Sequence, residues 1–170
     1  MLSTIYTFLL PLLLSGTIAE NLEPAATIKW YTWEEAIEAN KTEKKKFIID
    51  LYTDWCGWCK VMDKKTFTQS EIATYINKHF YPIKFDAEQK TPLVYNNHTF
   101  KHIPGGRNGI HELAYSLMDG KASYPTIVYL NEKEERIFIS PGYKKPDQLM
   151  KELRYAEEEG YLTTKFADFQ

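Results

Sequence analysis

The sequence predicts one α/β domain, a mixed β-sheet with helices on both faces. Three observations carry this. Helical and strand-like apolar patterns alternate in the order helix, strand, helix, strand, helix, strand, strand, helix. The chain has 170 residues, the size of one ordinary domain, and no internal repeat divides it. Hydrophobic residues make up 44% and aromatics 15%, enough to fill a core, which excludes disorder.

The elements follow in order. Thr32 and Glu35 form a capping box, so a helix is predicted from there to about residue 43. Three lysines, 44–46, lead into the apolar run 47–52, which reads as a buried strand with Asp50 as its anomaly. Cys56 and Cys59 then open a helical pattern carrying Val61, Met62 and Lys65. Ser70 is expected to cap a second helical segment with Ile72, Tyr75, Ile76 and Phe80 on one side. Residues 81–86 read as another strand.

The stretch 87–106 is rich in turn formers, and a small hairpin is expected around Asn96-Asn97. Asn108 is expected to cap a helix whose stripe, Ile110, Leu113, Ala114, Leu117 and Met118, faces the core and stops at Gly120. Residues 126–130 and 136–140 read as two strands joined by a polar turn. Pro146 opens the last helix, which carries Leu149, Met150 and Leu153 and ends near Gly160.

Charge and cysteine count exclude several function classes. With 21 Lys+Arg against 23 Asp+Glu the formal net charge is -2, no footprint for nucleic acid. Two cysteines exclude a disulfide-stapled scaffold and a four-cysteine zinc or iron–sulfur site. Residues 1–19 hold no charged side chain and end in small residues, the pattern of a secretory signal peptide cut near Ala19. The apolar run is too short and broken to span a membrane. The expected division is 1–19 signal peptide, 20–31 N-terminal leader (mobile over 20–28), 32–160 folded domain and 161–170 C-terminal tail. Export to the periplasm or the extracellular space would put both cysteines in an oxidising compartment. Asn40-Lys41-Thr42 and Asn97-His98-Thr99 match the glycosylation pattern, which carries no meaning in a bacterial host.

The chemistry lies in Cys56-Gly57-Trp58-Cys59. At a strand-to-helix junction this spacing puts Cys56 at the helix N-terminus, where the dipole and free N–H groups favour a thiolate. Cys56 is then the exposed nucleophile and Cys59, one turn on, the resolving thiol. Two blander readings stand beside this. His98 and His102 could complete a zinc site, although their distance from Cys59 far exceeds the roughly 12–15 residues of a finger. The pair could also be an inert disulfide, although so short a loop contributes little stability.

The surroundings narrow the choice. Residues 47–60, with their embedded acid, Trp55 before the first cysteine, Gly57 after it and Lys60 after the second, resemble the active-site segment of thioredoxin-fold proteins. Ser123-Tyr124-Pro125-Thr126 resembles the family's cis-proline loop, Lys84 a lysine of the thioredoxin pattern, and Gly142 the glycine before the last helix. The resemblance covers about 45–155 in the family's order. Residues 108–114, 120–121 and 123–126 resemble a group of secreted bacterial thioredoxin-like proteins, and 55–67 resembles periplasmic thioredoxin-like domains that pass electrons from the cytoplasm. Two features depart from thioredoxin: Trp58 replaces its proline, and 89–122 is longer, an insert before the cis-proline loop.

The resemblance implies a thioredoxin fold and a thiol–disulfide oxidoreductase with no bound cofactor and no metal. Buried Asp50 would take the proton of Cys59, and Lys84 would pair with Asp50. Pro125 would be cis beside the cysteines, with the Tyr124 backbone free to pair with an extended substrate. Trp55 and Trp58 flank the cysteines as supporting residues, with core packing the alternative for Trp55 and exposure to a partner protein expected of Trp58. The retained Asp50, Gly57 and Lys60 favour the reducing direction. Expected partners are protein disulfides and an upstream thiol–disulfide donor or acceptor, met by a monomer. An oxidase or isomerase of the same fold, and a module binding a metal or a partner on its two thiolates, are the alternatives.

Overall fold

The computed structural model describes residues 26–170. The expected signal peptide and most of the leader therefore lie outside the described residues. Helix α1 (Trp33–Thr42) precedes strand β1 (Lys46–Tyr52), helices α2 (Gly57–Lys65) and α3 (Ser70–His79) and strand β2 (Phe80–Asp86). Two small ladders follow, β3 (Leu93–Tyr95) with β4 (His98–Phe100), and β5 (His102–Ile103) with β6 (Ile110–His111). Helix α4 (Glu112–Leu117), strands β7 (Thr126–Leu130) and β8 (Arg136–Pro141) and helix α5 (Pro146–Glu157) complete the domain.

The main sheet has the order β2-β1-β7-β8. β1 runs parallel to β2 and antiparallel to β7, and β7 is antiparallel to β8. Strand alternation sorts the core into two layers. Phe47, Ile49, Leu51, Ile83, Phe85 and Val128 are buried with Trp33 of α1 and Leu113 and Leu117 of α4. Ile48, Phe80, Ile127 and Tyr129 are buried with Met62 of α2, Ile72 and Ile76 of α3, and Leu149 and Leu153 of α5. Each such side chain contributes about 1.5–3 kcal/mol by leaving water. Asp50 and Lys84 fall on the second face, because they stand two residues from Ile48 and four from Phe80. That is the face which α2 covers.

The capping box of α1 is formed by Thr32 and Glu35, and the hairpin at Asn96-Asn97 is β3-β4, with both asparagines at positive φ (49° and 61°). Other elements differ from expectation. Ser70 is the first residue of α3 and not its cap; Gln69 holds the cap position without a side-chain bond, and Ser70 Oγ accepts the Ala26 N–H at 3.4 Å. Asn108 does not cap α4. Its amide goes to Glu88 Oε2 at 2.8 Å, Ile110 pairs with Ile103 in β5-β6, and His111 caps a helix of six residues, its Nδ1 accepting the Leu113 N–H at 3.3 Å.

The end of the leader is docked. Asn77 accepts the Lys29 N–H at 2.9 Å and donates to Thr27 O at 2.8 Å. Trp30 meets the Phe67 ring at 5.1 Å, and Tyr31 bridges to Ile83 on the outer strand β2. An open sheet edge and two aromatic side chains explain the attachment. The C-terminal segment is also packed, through Phe166 on Phe138 and Phe169 on Tyr155, with Tyr155 Oη donating to Thr164 O at 2.7 Å. Among the described residues no helix is long and apolar enough to cross a membrane.

Candidate active site

The junction after β1 builds the site. The Cys56 N–H returns to Thr53 O at 3.1 Å, closing a turn that hands the chain to α2. Cys56 is the N-cap of α2, and its Sγ accepts the Cys59 N–H at 3.1 Å. The two cysteines form a disulfide with a Cα–Cα separation of 5.3 Å. A sulfur held at a helix N-terminus and bonded to a backbone N–H is stabilised as an anion once the disulfide opens.

Cys56 is not exposed as expected. It is 4% accessible and Cys59 2%, the two sulfurs being joined in the disulfide. The exposed surface belongs to the tryptophans. Trp58 is 62% accessible, its ring 5.5 Å from Tyr143. Trp55 is 44% accessible and so is not a core residue. Its indole N–H donates to Glu88 Oε1 at 2.8 Å, its ring meets Tyr124 edge-on at 6.0 Å, and the Arg107 guanidinium stands 5.0 Å over it. Gly57 opens α2, and a Cβ there would meet open space. Lys60 is exposed on the same helix.

The Tyr124-Pro125 bond is cis, and Pro125 O accepts the Gly142 N–H at 2.7 Å. Half-buried Tyr124 has its hydroxyl pushed up to about 12, by burial first and then by Glu88 and Asp86. Beside it lies a cavity of about 360 Å³, lined by Trp55, Tyr124, Ile103, Arg107 and Tyr115. Three of these come from the 89–122 insert, which thus builds one wall beside the motif.

Behind the motif, Asp50 is 1% accessible and stands in register with Lys84 across β1-β2. Lys84 Nζ lies 2.5 Å from Asp50 Oδ2, while Oδ1 has no hydrogen-bond partner among the described residues. Burial raises the Asp50 carboxyl to about 6, against the opposing pull of Lys84. Burial alone would lower the Lys84 ammonium, but Asp50 and Asp63 outweigh it and hold it above its ordinary value.

The sequence expectation missed Asp63, which binds Lys84 from α2. It also missed the three rings around that ammonium: Tyr52 at 4.9 Å, Trp30 at 5.2 Å and Phe67 at 5.4 Å. One signal was available, since Asp63 lies four residues after Cys59 and so on the same helix face. The histidines considered for zinc are engaged elsewhere. His98 pairs with Glu112 at 3.0 Å, and His102 Nε2 meets Asn108 O at 2.8 Å. Among the described residues no group of three or more His, Cys, Asp or Glu could hold a metal ion.

Comparison with known proteins bears on the family and the fold. A family model described as "Thioredox_DsbH: Protein of unknown function, DUF255" matches residues 21–157. Among solved structures, a DsbH oxidoreductase superposes with a TM-score of 0.59 at 18% identity, covering 85% of this chain and 95% of that one. A candidate disulphide isomerase of Bacteroides thetaiotaomicron superposes with a TM-score of 0.55 at 25% identity, over 79% and 96%. The Caenorhabditis elegans protein B0495.5 is 34% identical over 64 residues, 37% of this chain and 9% of its own. Spermatogenesis-associated protein 20 of Rattus norvegicus is 30% identical over 64 residues, 37% and 8%. The matched stretch thus spans less than a tenth of these curated relatives. The solved structures establish the thioredoxin fold.

Proposed function

Because the chain belongs to the Thioredox_DsbH (DUF255) family, we propose that it is an exported thiol–disulfide oxidoreductase that reduces protein disulfides through Cys56 and Cys59. One observation carries the reading: Cys56 Sγ sits at the N-cap of α2 and accepts the Cys59 N–H at 3.1 Å. That places a nucleophile and its resolving partner one turn apart.

In the reduced enzyme the Cys56 thiolate attacks one sulfur of a substrate disulfide. The substrate S–S bond breaks, a mixed disulfide forms, and the departing thiolate takes a proton from water. The Cys59 thiol then gives its proton to the Asp50 carboxylate, and its sulfur attacks Cys56 Sγ. The Cys56–Cys59 bond forms and the mixed disulfide breaks. The second substrate thiolate leaves and is protonated by solvent. Two electrons pass from enzyme to substrate, and an upstream dithiol protein restores the pair. Trp58 and the Tyr124 backbone bind the extended substrate. Export rests on the uncharged, apolar character of residues 1–19.

The test is the reduction potential of the Cys56–Cys59 couple in a dithiothreitol series, read by Trp55 and Trp58 fluorescence. A value near about -270 mV supports a reductase, and one near about -120 mV an oxidant. An isomerase is the second reading, favoured by the candidate disulphide isomerase among the structural neighbours. Under the proposal, Cys56→Ser abolishes reduction of insulin disulfides.

A further inference from the structure

We propose that Asp63 is a positioning residue of this site: it shares the Lys84 ammonium with Asp50 and takes sole hold of it when Asp50 receives the Cys59 proton. The inference rests on the oxidoreductase reading for its purpose, but its physical content is measurable without turnover.

Lys84 projects from β2 between two carboxylates, Asp50 of β1 and Asp63 of α2, and binds both. They are not equivalent. Asp50 is 1% accessible at its side chain and Asp63 42%. A second cavity, of about 400 Å³, opens onto this outer side, lined by Thr27, Trp30, Asp63, Phe67 and Lys84. Water therefore reaches the Asp63 end of the triad, while the Asp50 end is closed.

The rings of Trp30, Tyr52 and Phe67 stand around the ammonium. They hold a cation in place but supply no negative charge. A lysine bound to Asp50 alone would keep a half-buried, uncompensated charge each time that acid became neutral. Asp63 removes that cost. When the resolving step moves the Cys59 proton to Asp50, Lys84 remains paired with Asp63 and charge stays balanced. When the upstream dithiol reopens the Cys56–Cys59 bond, Asp50 returns the proton to the Cys59 thiolate and the ammonium is shared again. No other co-reactant is required.

The charged and titratable groups on this side are Asp50 and Tyr52 from β1, Lys84 and Asp86 from β2, Asp63 from α2 and Asp54 from the turn. β7 brings only Ile127 to the Asp50 register. Asp63 acts on Asp50 in two ways with one sign. Its own negative charge disfavours a second anion, and its share of Lys84 weakens the cation's hold on Asp50.

The experiment follows the Asp50 carboxyl by 13C NMR titration in the oxidised wild type, Asp63→Asn and Asp63→Glu. Asp63→Asn is expected to lower the Asp50 midpoint by about half a unit to one unit, with Asp63→Glu restoring it. The pH profile of insulin-disulfide reduction, driven by dithiothreitol, should move by the same amount. An unchanged Asp50 midpoint in Asp63→Asn overturns the proposal, as does an equal shift in Asp63→Glu. Wild type that reduces insulin no faster than Cys56→Ser would instead refute the oxidoreductase reading and leave the titration result standing.

Discussion

Asp50 and Lys84 face each other in register on adjacent parallel strands, 2.5 Å apart, yet Asp50 Oδ1 has no hydrogen-bond partner among the described residues. A carboxylate so placed is unhappy as an anion. Its carboxyl is raised from 3.8 to about 6, chiefly by burial. In the folded state Asp50 therefore binds a proton that the unfolded chain has already lost between those two values. Stability then falls as pH rises from about 4 to 6, by roughly 3 kcal/mol for this group. Asp50→Asn cannot titrate and is expected to lose that fall. Denaturant unfolding of both proteins at pH 4 and 7 checks this, the variant gaining on wild type at the higher pH. The same substitution removes the proposed proton acceptor for Cys59, so resolution of the mixed disulfide should slow by about 10²–10⁴-fold. A variant that gains stability and loses rate separates a functional acid from a merely structural one.

The parts of the fold legible in the sequence are those whose partners lie close along the chain. Thr32 and Glu35 cap each other within three residues, and both sites of the bond are visible in the order of letters. Asn96-Asn97 turns the chain because both residues tolerate positive φ. The failures are tertiary. Asn108 looks like a cap until Glu88, twenty residues earlier, takes its amide. Ile110 fits the helical stripe, but its backbone pairs with Ile103 instead. Asp63 shares a helix face with Cys59 in the sequence, but its ion pair is not legible there, because Lys84 and Trp30 reach its side only when β2 and residues 26–31 are in place. Of the candidate site, the two cysteines and Asp50 stand out by spacing and by a charge in an apolar run. The wall made by Arg107 and Tyr115 is invisible until the insert folds.

Gly109 is fixed by geometry. Its φ is +77°, and a Cβ there would run into the His102 ring and the Ile103 carbonyl oxygen. Gly109→Ala is expected to open the β5-β6 ladder, at a cost of about 1–2 kcal/mol from the left-handed backbone before any clash is counted. Hydrogen exchange should quicken at 102–111 while β1 and β7 keep their protection. Uniform loss of protection across the sheet would show instead that the insert is part of the cooperative core.

Trp58 has little structural work to do. At 62% accessible, with Tyr143 as its ring neighbour, its removal should change stability by no more than about 0.5 kcal/mol. As an exposed aromatic between two reactive sulfurs, it is expected to contact the substrate. Trp58→Ala should raise KM for a protein disulfide by about tenfold, near 1.4 kcal/mol, with kcat for a small disulfide nearly unchanged. Equal losses on protein and small substrates would assign Trp58 to tuning the sulfur chemistry and not to recognition.

The order of attack separates the roles of the two cysteines. Cys56 caps the helix and its sulfur already receives the Cys59 N–H, so we propose Cys56 as the attacking thiolate and Cys59 as the sulfur that releases it. Cys59→Ser should still attack a substrate disulfide but leave the mixed disulfide unresolved, which non-reducing electrophoresis and mass spectrometry detect as a covalent adduct. Cys56→Ser should give no adduct, since the thiol left at Cys59 lies one turn inside the helix, away from the N-cap position that favours a thiolate. Adducts in Cys56→Ser and none in Cys59→Ser would reverse the assignment. Asp50, whose proposed duty is to Cys59, would then need a different partner in the reaction.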